Sequence, residues 1–255
     1  MSTFQKKLDN QNIAVVGGSS GIGFGAAQAL LESGANVAIV SSSPQKVDDA
    51  KTRLKDSVQE GRTLQGAVGD VRDEAGFVAL LQSLAPLDHL VFSSVDKIIR
   101  GPLVSLDLAD AQHLFGVKFW GAVTIGKAVL KHEIIRPGGS LVLTSGMAAV
   151  KPGKNAAVGG ALNAGVITFT KGLASDLAEK KIRVNTVVPG MVKTELWDKL
   201  GKSKEQQRSE YEALSQKLPV GFVADPTDIA EAYVFLCRAG YCTGTCVEID
   251  GGMVL

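Results

Sequence analysis

Tyrosine, histidine and cysteine are scarce in this chain, with three of each among 255 residues. Their scarcity limits the chemistry on offer. Cys237, Cys242 and Cys246 fall within ten residues of one another, yet their spacing fits no paired CxxC zinc pattern and no histidine is close in sequence. They read as reduced thiols, and His89, His113 and His132 read as structural or surface residues. Neither charge sign dominates: 27 Lys and Arg stand against 26 Asp and Glu, a net charge of +1. No field of one sign is present to attract nucleic acid or an anionic membrane. No apolar run approaches the roughly 18 residues of a membrane span. Met1 to Gln11 is polar and mixed in charge, unlike a signal region. These absences predict a cytoplasmic, soluble protein acting on a small molecule.

Glycine and aliphatic residues are plentiful instead, with 29 glycines. Apolar strand-like runs alternate with helical periodicity from end to end, which predicts an α/β fold: a Rossmann-type, doubly wound parallel sheet of about seven strands with helices on both faces, in a single domain over 1–255. The strands fall at 12–16, 36–41, 63–68, 88–93, 139–144, 182–187 and 245–249. The helices fall near 21–33, 44–57, 73–84, 107–132, 156–179 and 226–238. Gly34 should stop the first helix, and Gly138-Gly139 should close a turn. The polar, charge-rich stretch 195–222 breaks the rhythm. It lies after a strand end, where ligands sit in such sheets, and is expected to be a substrate lid.

The first strand runs straight into Gly17-Gly18-Ser19-Ser20-Gly21-Ile22-Gly23 and a helix start. Glycines there let the backbone approach a pyrophosphate, and the helix N-terminus offers free N–H donors to it. Gly69-Asp70-Val71 ends the third strand, Phe92-Ser93-Ser94-Val95 follows the fourth, and Leu141-Val142-Leu143-Thr144-Ser145 is a buried run ending in serine. Pro189-Gly190-Met191-Val192-Lys193-Thr194 follows the sixth strand, and Thr243-Gly244 and Asp250-Gly251-Gly252 flank the seventh. In this order these motifs resemble the short-chain dehydrogenase/reductase family over residues 12–252. The resemblance implies a nicotinamide dinucleotide held by Gly17, Ser19, Ser20, Gly21, Ile22 and Gly23, with Asp70 and Val71 at the adenine. It places Ser93 and Ser94 beside the cofactor, and Pro189, Gly190, Val192 and Thr194 at the carboxamide and phosphates. It also implies a homodimer or homotetramer.

The end of the second strand, Ser41-Ser42-Ser43-Pro44-Gln45-Lys46, has no carboxylate before Asp48 to accept from a ribose 2′-hydroxyl. The hydroxyls of Ser41, Ser42 and Ser43 with Lys46 suit a 2′-phosphate and favour NADP(H) over NAD. The same run also reads as a Ser-Pro helix cap followed by a solvated lysine.

The family's reaction centre pairs a Ser with a Tyr thirteen positions on and a Lys four beyond that. Here Ser145 is kept, while the other two positions hold Val158 and Leu162. The Asn that the family carries in its long helix aligns with Lys118. The Asn-Asn-Ala-Gly turn becomes Phe92-Ser93-Ser94-Val95. With no phenol to protonate a carbonyl oxygen, ordinary ketone reduction by the family route is not expected. Val158 and Leu162 share one helical face, expected to line an apolar pocket; the alternative is that both pack in the core. Lys118 reads either as an acid or anchor with a lowered pKa, or as a surface lysine whose stem packs on Phe119 or Trp120. Tyr211, on the lid, is a candidate replacement donor. The altered centre is similar in part to fungal reductase/Diels–Alderase offshoots of the family. They too lack the Tyr and Lys and carry a base where Lys118 stands, but their acid after the Ser strand has no counterpart in Lys151-Pro152-Gly153-Lys154-Asn155. The resulting expectation is an atypical NADP(H)-dependent oxidoreductase of specialised metabolism that delivers hydride to an apolar iminium or conjugated C=C, a step that can be coupled to cyclisation. Two alternatives stay open: a non-redox isomerase or cyclase, and an inactive NADPH-binding regulator.

Overall fold

Short runs of branched aliphatic residues set the frame. In the computed structural model, which describes residues 7–255, β1 (Asn12–Val16), β2 (Asn36–Ser41), β3 (Leu64–Val68), β4 (Leu87–Phe92), β5 (Ile135–Thr144), β6 (Arg183–Pro189) and β7 (Cys246–Ile249) form one sheet. Its order is β3-β2-β1-β4-β5-β6-β7 and every pair is parallel. The order reverses between β1 and β4, which opens a crevice at their carboxyl ends.

Alternation along β1 shows why two layers of helix are needed. Ala14 and Val16 enter the core shared with α3 (Glu74–Leu84), α5 (Gly121–Lys131) and α6 (Ala157–Asp176). Ile13 and Val15 enter the opposite core, built with α1 (Gly21–Glu32), α2 (Pro44–Leu54) and α8 (Pro226–Arg238). A strand buried on both faces has no polar side to spare, and burial of each large side chain stabilises by about 1.5–3 kcal/mol.

Two expectations are modified. The long helix predicted over 107–132 is α4 (Leu108–Phe115) and α5 joined through a π-helical turn, Gly116–Trp120. Strand β5 starts at Ile135, so Gly138-Gly139 lies inside an irregular strand entry rather than a separate turn. The register shifts between Leu87 and His89, and a Cβ at Gly139 would stand 2.2 Å from the Asp88 carbonyl oxygen. Segment 195–222 holds a 3-10 helix, Glu195–Leu200, and α7 (Lys204–Ser215), which opens with a capping box between Ser203 and Gln206. Among the described residues no helix is long and apolar enough to cross a membrane.

Candidate active site

The glycine loop can be tested for fit to a dinucleotide. Gly17 has φ +86°, and a Cβ there would lie 2.8 Å from the Ser93 carbonyl carbon and the Ser94 nitrogen. A Cβ at Gly23 would lie 2.2 Å from the Gly17 oxygen. The loop is thus drawn tight between β4 and α1, leaving the α1 N-terminus facing the crevice. Ser20, the N-cap residue, makes no side-chain cap bond, and α1 has no acid in its first turn. Unsatisfied N–H groups at a helix start suit an anion. One of them is met from afar: the Gly21 N–H donates to Glu195 Oε2 at 3.0 Å. In that contact the amide donates to an anionic oxygen, the kind of acceptor a phosphate would also present. Thr194 stands beside it, its Cγ2 3.3 Å from where a Gly21 Cβ would be. Gly190 packs on Asp250, whose Cα would lie 2.8 Å from a Gly190 Cβ. The residues fit a bound pyrophosphate, and Val192 is buried behind them.

The edges of the crevice are less uniform. Ser43 caps α2, its hydroxyl accepting from the Lys46 N–H at 3.4 Å, so the helix-cap reading of that residue holds; Ser41 is half-buried, while Ser42 and Lys46 are exposed. Asp70 is engaged by Arg72, whose backbone N–H and Nε both donate to its Oδ1 at 3.0 Å. The hydrogen bond from the guanidinium lowers the Asp70 pKa. Val71 is buried against Gly121 at the start of α5. Behind Ser93, the phenol of the fully buried Tyr233 bonds Thr144 Oγ1 at 2.7 Å and also reaches Ser93.

On the other wall, the π turn directs Lys118 inward while Trp120 stays 59% exposed. A π insertion adds a residue to one turn and re-aims its side chains, a device frequent at functional sites. The Lys118 side chain is buried, and its Nζ donates to the Ser145 carbonyl oxygen at 3.0 Å and to Asn163 Oδ1 at 2.7 Å. Both acceptors are uncharged. Burial away from water pulls the Lys118 pKa down to about 8. The Ser145 hydroxyl donates to the Asn163 carbonyl oxygen at 2.8 Å, so its proton points inward and its lone pairs are what it offers a ligand. Asn163 therefore joins the two candidates. It escaped the sequence reading; the only trace is one amide side chain in the apolar run Ala161-Leu162-Asn163-Ala164-Gly165.

Val158 borders a recess of about 140 Å³ with Ile99, Gly101, Leu103, Leu106, Asn155 and Ala157. Leu162 does not: it is buried at 2% exposure and packs as core, contrary to the expectation that both would line the pocket. Residues four apart share a helical face, but here the second falls below the floor of the cleft. Tyr211 lines a separate depression of about 620 Å³ with Thr194, Glu195 and Arg208, and shares no lining residue with the Val158 recess. As a replacement donor it is misplaced in this arrangement. Cys237 is buried, with its thiol pKa pushed up to about 12 by desolvation, and among the described residues no cluster could hold a metal ion.

Fold, strand order and glycine cradle together define a Rossmann-type α/β protein. A family model described as Enoyl-(Acyl carrier protein) reductase matches residues 16–254. The chain belongs to the short-chain dehydrogenase/reductase family. It is 33% identical to Short-chain dehydrogenase/reductase malC of Malbranchea aurantiaca, covering 97% of this chain and 96% of that one. The solved structure of MalC Reductase/Diels-Alderase from the same organism superposes with a TM-score of 0.89 at 29% identity, over 98% of this chain and 99% of that chain. A small-chain dehydrogenase solved in complex with NADPH gives a TM-score of 0.78 at 31% identity, over 96% of this chain and 98% of that chain.

Proposed function

We propose that the protein is an atypical NADP(H)-dependent reductase of an apolar small molecule, with an iminium or a conjugated C=C as the acceptor. The reading rests above all on one observation: Lys118 is buried on Ser145 and Asn163, in a site whose family positions for the phenol and its lysine hold Val158 and Leu162. Gly17, Ser19, Ser20, Gly21, Ile22 and Gly23 would hold the dinucleotide, with Ser41, Ser42, Ser43 and Lys46 at a 2′-phosphate. Asp70 and Val71 would frame the adenine, Ser93 and Ser94 the ribose, and Pro189, Gly190, Val192 and Thr194 the carboxamide side. Bound NADPH would supply a hydride, and hydride added to an iminium cation gives a neutral amine directly. That outcome asks no acid of the protein. A conjugated C=C does need one proton, and Lys118 is the group poised to give it. Val158 and its apolar neighbours exclude water from the acceptor. Segment 195–222 acts as the lid. The likeness to a protein named both reductase and Diels-Alderase favours a product that goes on to cyclise, and a setting in specialised metabolism. A cytoplasmic homodimer or homotetramer completes the reading.

Stopped-flow absorbance at 340 nm tests it. N-methyl-3,4-dihydroisoquinolinium should oxidise bound NADPH at least a hundredfold faster than acetophenone, and equal rates, or none with the iminium, would refute the proposal. Lys118→Ala should lower turnover of an enone such as 2-cyclohexenone by roughly tenfold or more while NADPH affinity stays within about twofold.

A further inference from the structure

Lys118 has three donor hydrogens when protonated, and two are spoken for. What fixes the third is the side chain that receives the shorter bond. Asn163 is itself held at three points. Its Nδ2 donates to the Gly159 carbonyl oxygen at 2.8 Å, its own backbone carbonyl accepts from Ser145 Oγ at 2.8 Å, and its Oδ1 accepts from Lys118 at 2.7 Å. These partners decide the amide orientation: a flipped amide would set an NH2 against the ammonium and an oxygen against a carbonyl.

We propose that Asn163 is the positioning residue of this site, holding the Lys118 amine toward the cleft through its side-chain carbonyl while, being uncharged, leaving that amine free to give up its proton. The proposal rests on the reading of Lys118 as the proton-handling group. An aspartate has nearly the same shape but would form a buried ion pair and lock the ammonium in its charged form. Among the described residues no charged group on β5, α6 or the π turn is close enough to displace the Lys118 titration; burial alone does so. The choice of amide over carboxylate is therefore what keeps the amine titratable near neutral pH.

Competitive acetylation with acetic anhydride over a pH series, read peptide by peptide by mass spectrometry, follows the Lys118 amine in the protein without cofactor. The wild-type midpoint should fall near pH 8. Asn163→Asp should raise it by about one to two pH units; an unchanged midpoint in a folded Asn163→Asp protein overturns the proposal. Asn163→Ser, which removes the acceptor with little change in charge, should let Lys118 react roughly fivefold faster above the midpoint because the amine is no longer held. Unaltered reactivity there would overturn the proposal independently. Because labelling needs no hydride transfer, a shifted midpoint in a protein that never oxidises NADPH would sink the reductase reading and uphold the positioning role.

Discussion

An ammonium buried against neutral acceptors destabilises the fold that holds it, because its hydration is lost and no counter-charge replaces it. Lys118 is in that position. Its pKa is about 8 in the folded protein against an ordinary value of 10.5. Between those two pH values the unfolded chain binds more protons than the folded one, so stability rises with pH across the window and the benefit is lost as pH falls through it. Each pH unit of displacement corresponds to about 1.4 kcal/mol. Urea unfolding of wild type and Lys118→Met at pH 7.5 and pH 10 should therefore show the wild type gaining on the order of 2–3 kcal/mol relative to the variant at the higher pH. A difference that does not change with pH would place the amine in water. The candidacy of Lys118 was legible in the sequence, because a lysine stands where the family pattern has an amide. Its partner was not. Asn163 meets Lys118 only because a π turn and α6 converge, and no spacing along the chain announces that meeting.

At the scale of elements, the segment after β6 carries the most consequence. Glu195 Oε2 sits on the Gly21 N–H, and Lys199 Nζ reaches across to the Asp96 carbonyl oxygen. The 3-10 helix Glu195–Leu200 thus spans from the glycine loop to the loop after β4. A pyrophosphate claiming the Gly21 amide has to displace a carboxylate first. A charge at a helix N-terminus contributes about 0.3–1 kcal/mol, so Glu195→Gln should bind NADPH roughly two- to fivefold more tightly by isothermal titration calorimetry. Weaker binding by the variant would show that Glu195 assists the cofactor instead of competing with it. Most strands and helices were readable from periodicity to within a residue or two. The two largest exceptions share a cause: Ile135-Arg136-Pro137-Gly138-Gly139 and Gly116–Trp120 are defined by backbone irregularities, a register shift and a π turn. Side-chain pattern does not encode these.

Across the whole molecule, the crevice is set by a sheet whose opposite end is tied down by buried polar groups. His89 on β4 bonds Ser140 Oγ at 2.8 Å through Nδ1 and Gln11 Oε1 at 2.7 Å through Nε2. Desolvation, and then the Arg183 charge, lower its pKa to about 4 from 6.5. The folded state therefore carries it neutral while the unfolded chain takes up a proton below about pH 6.5. Stability should fall by on the order of 2–3 kcal/mol as pH drops from there toward 4. His89→Gln should flatten that part of a pH series of urea unfolding curves, and an unaltered slope would assign acid lability to other groups. The fold class and the glycine turn after β1 were plain in the sequence because they depend on local strand–glycine–helix grammar. The cleft floor was not, since the burial of Leu162 and the remoteness of Tyr211 depend on how α6 and α7 settle against the sheet.

The central question is whether hydride reaches a substrate in this site without a phenol to accompany it. Single-turnover mass spectrometry with NADPH deuterated at both C4 positions and N-methyl-3,4-dihydroisoquinolinium addresses that directly. The predicted product is the tetrahydroisoquinoline carrying one deuterium at the former iminium carbon. Recovery of unchanged iminium, or of product without the label, would contradict it.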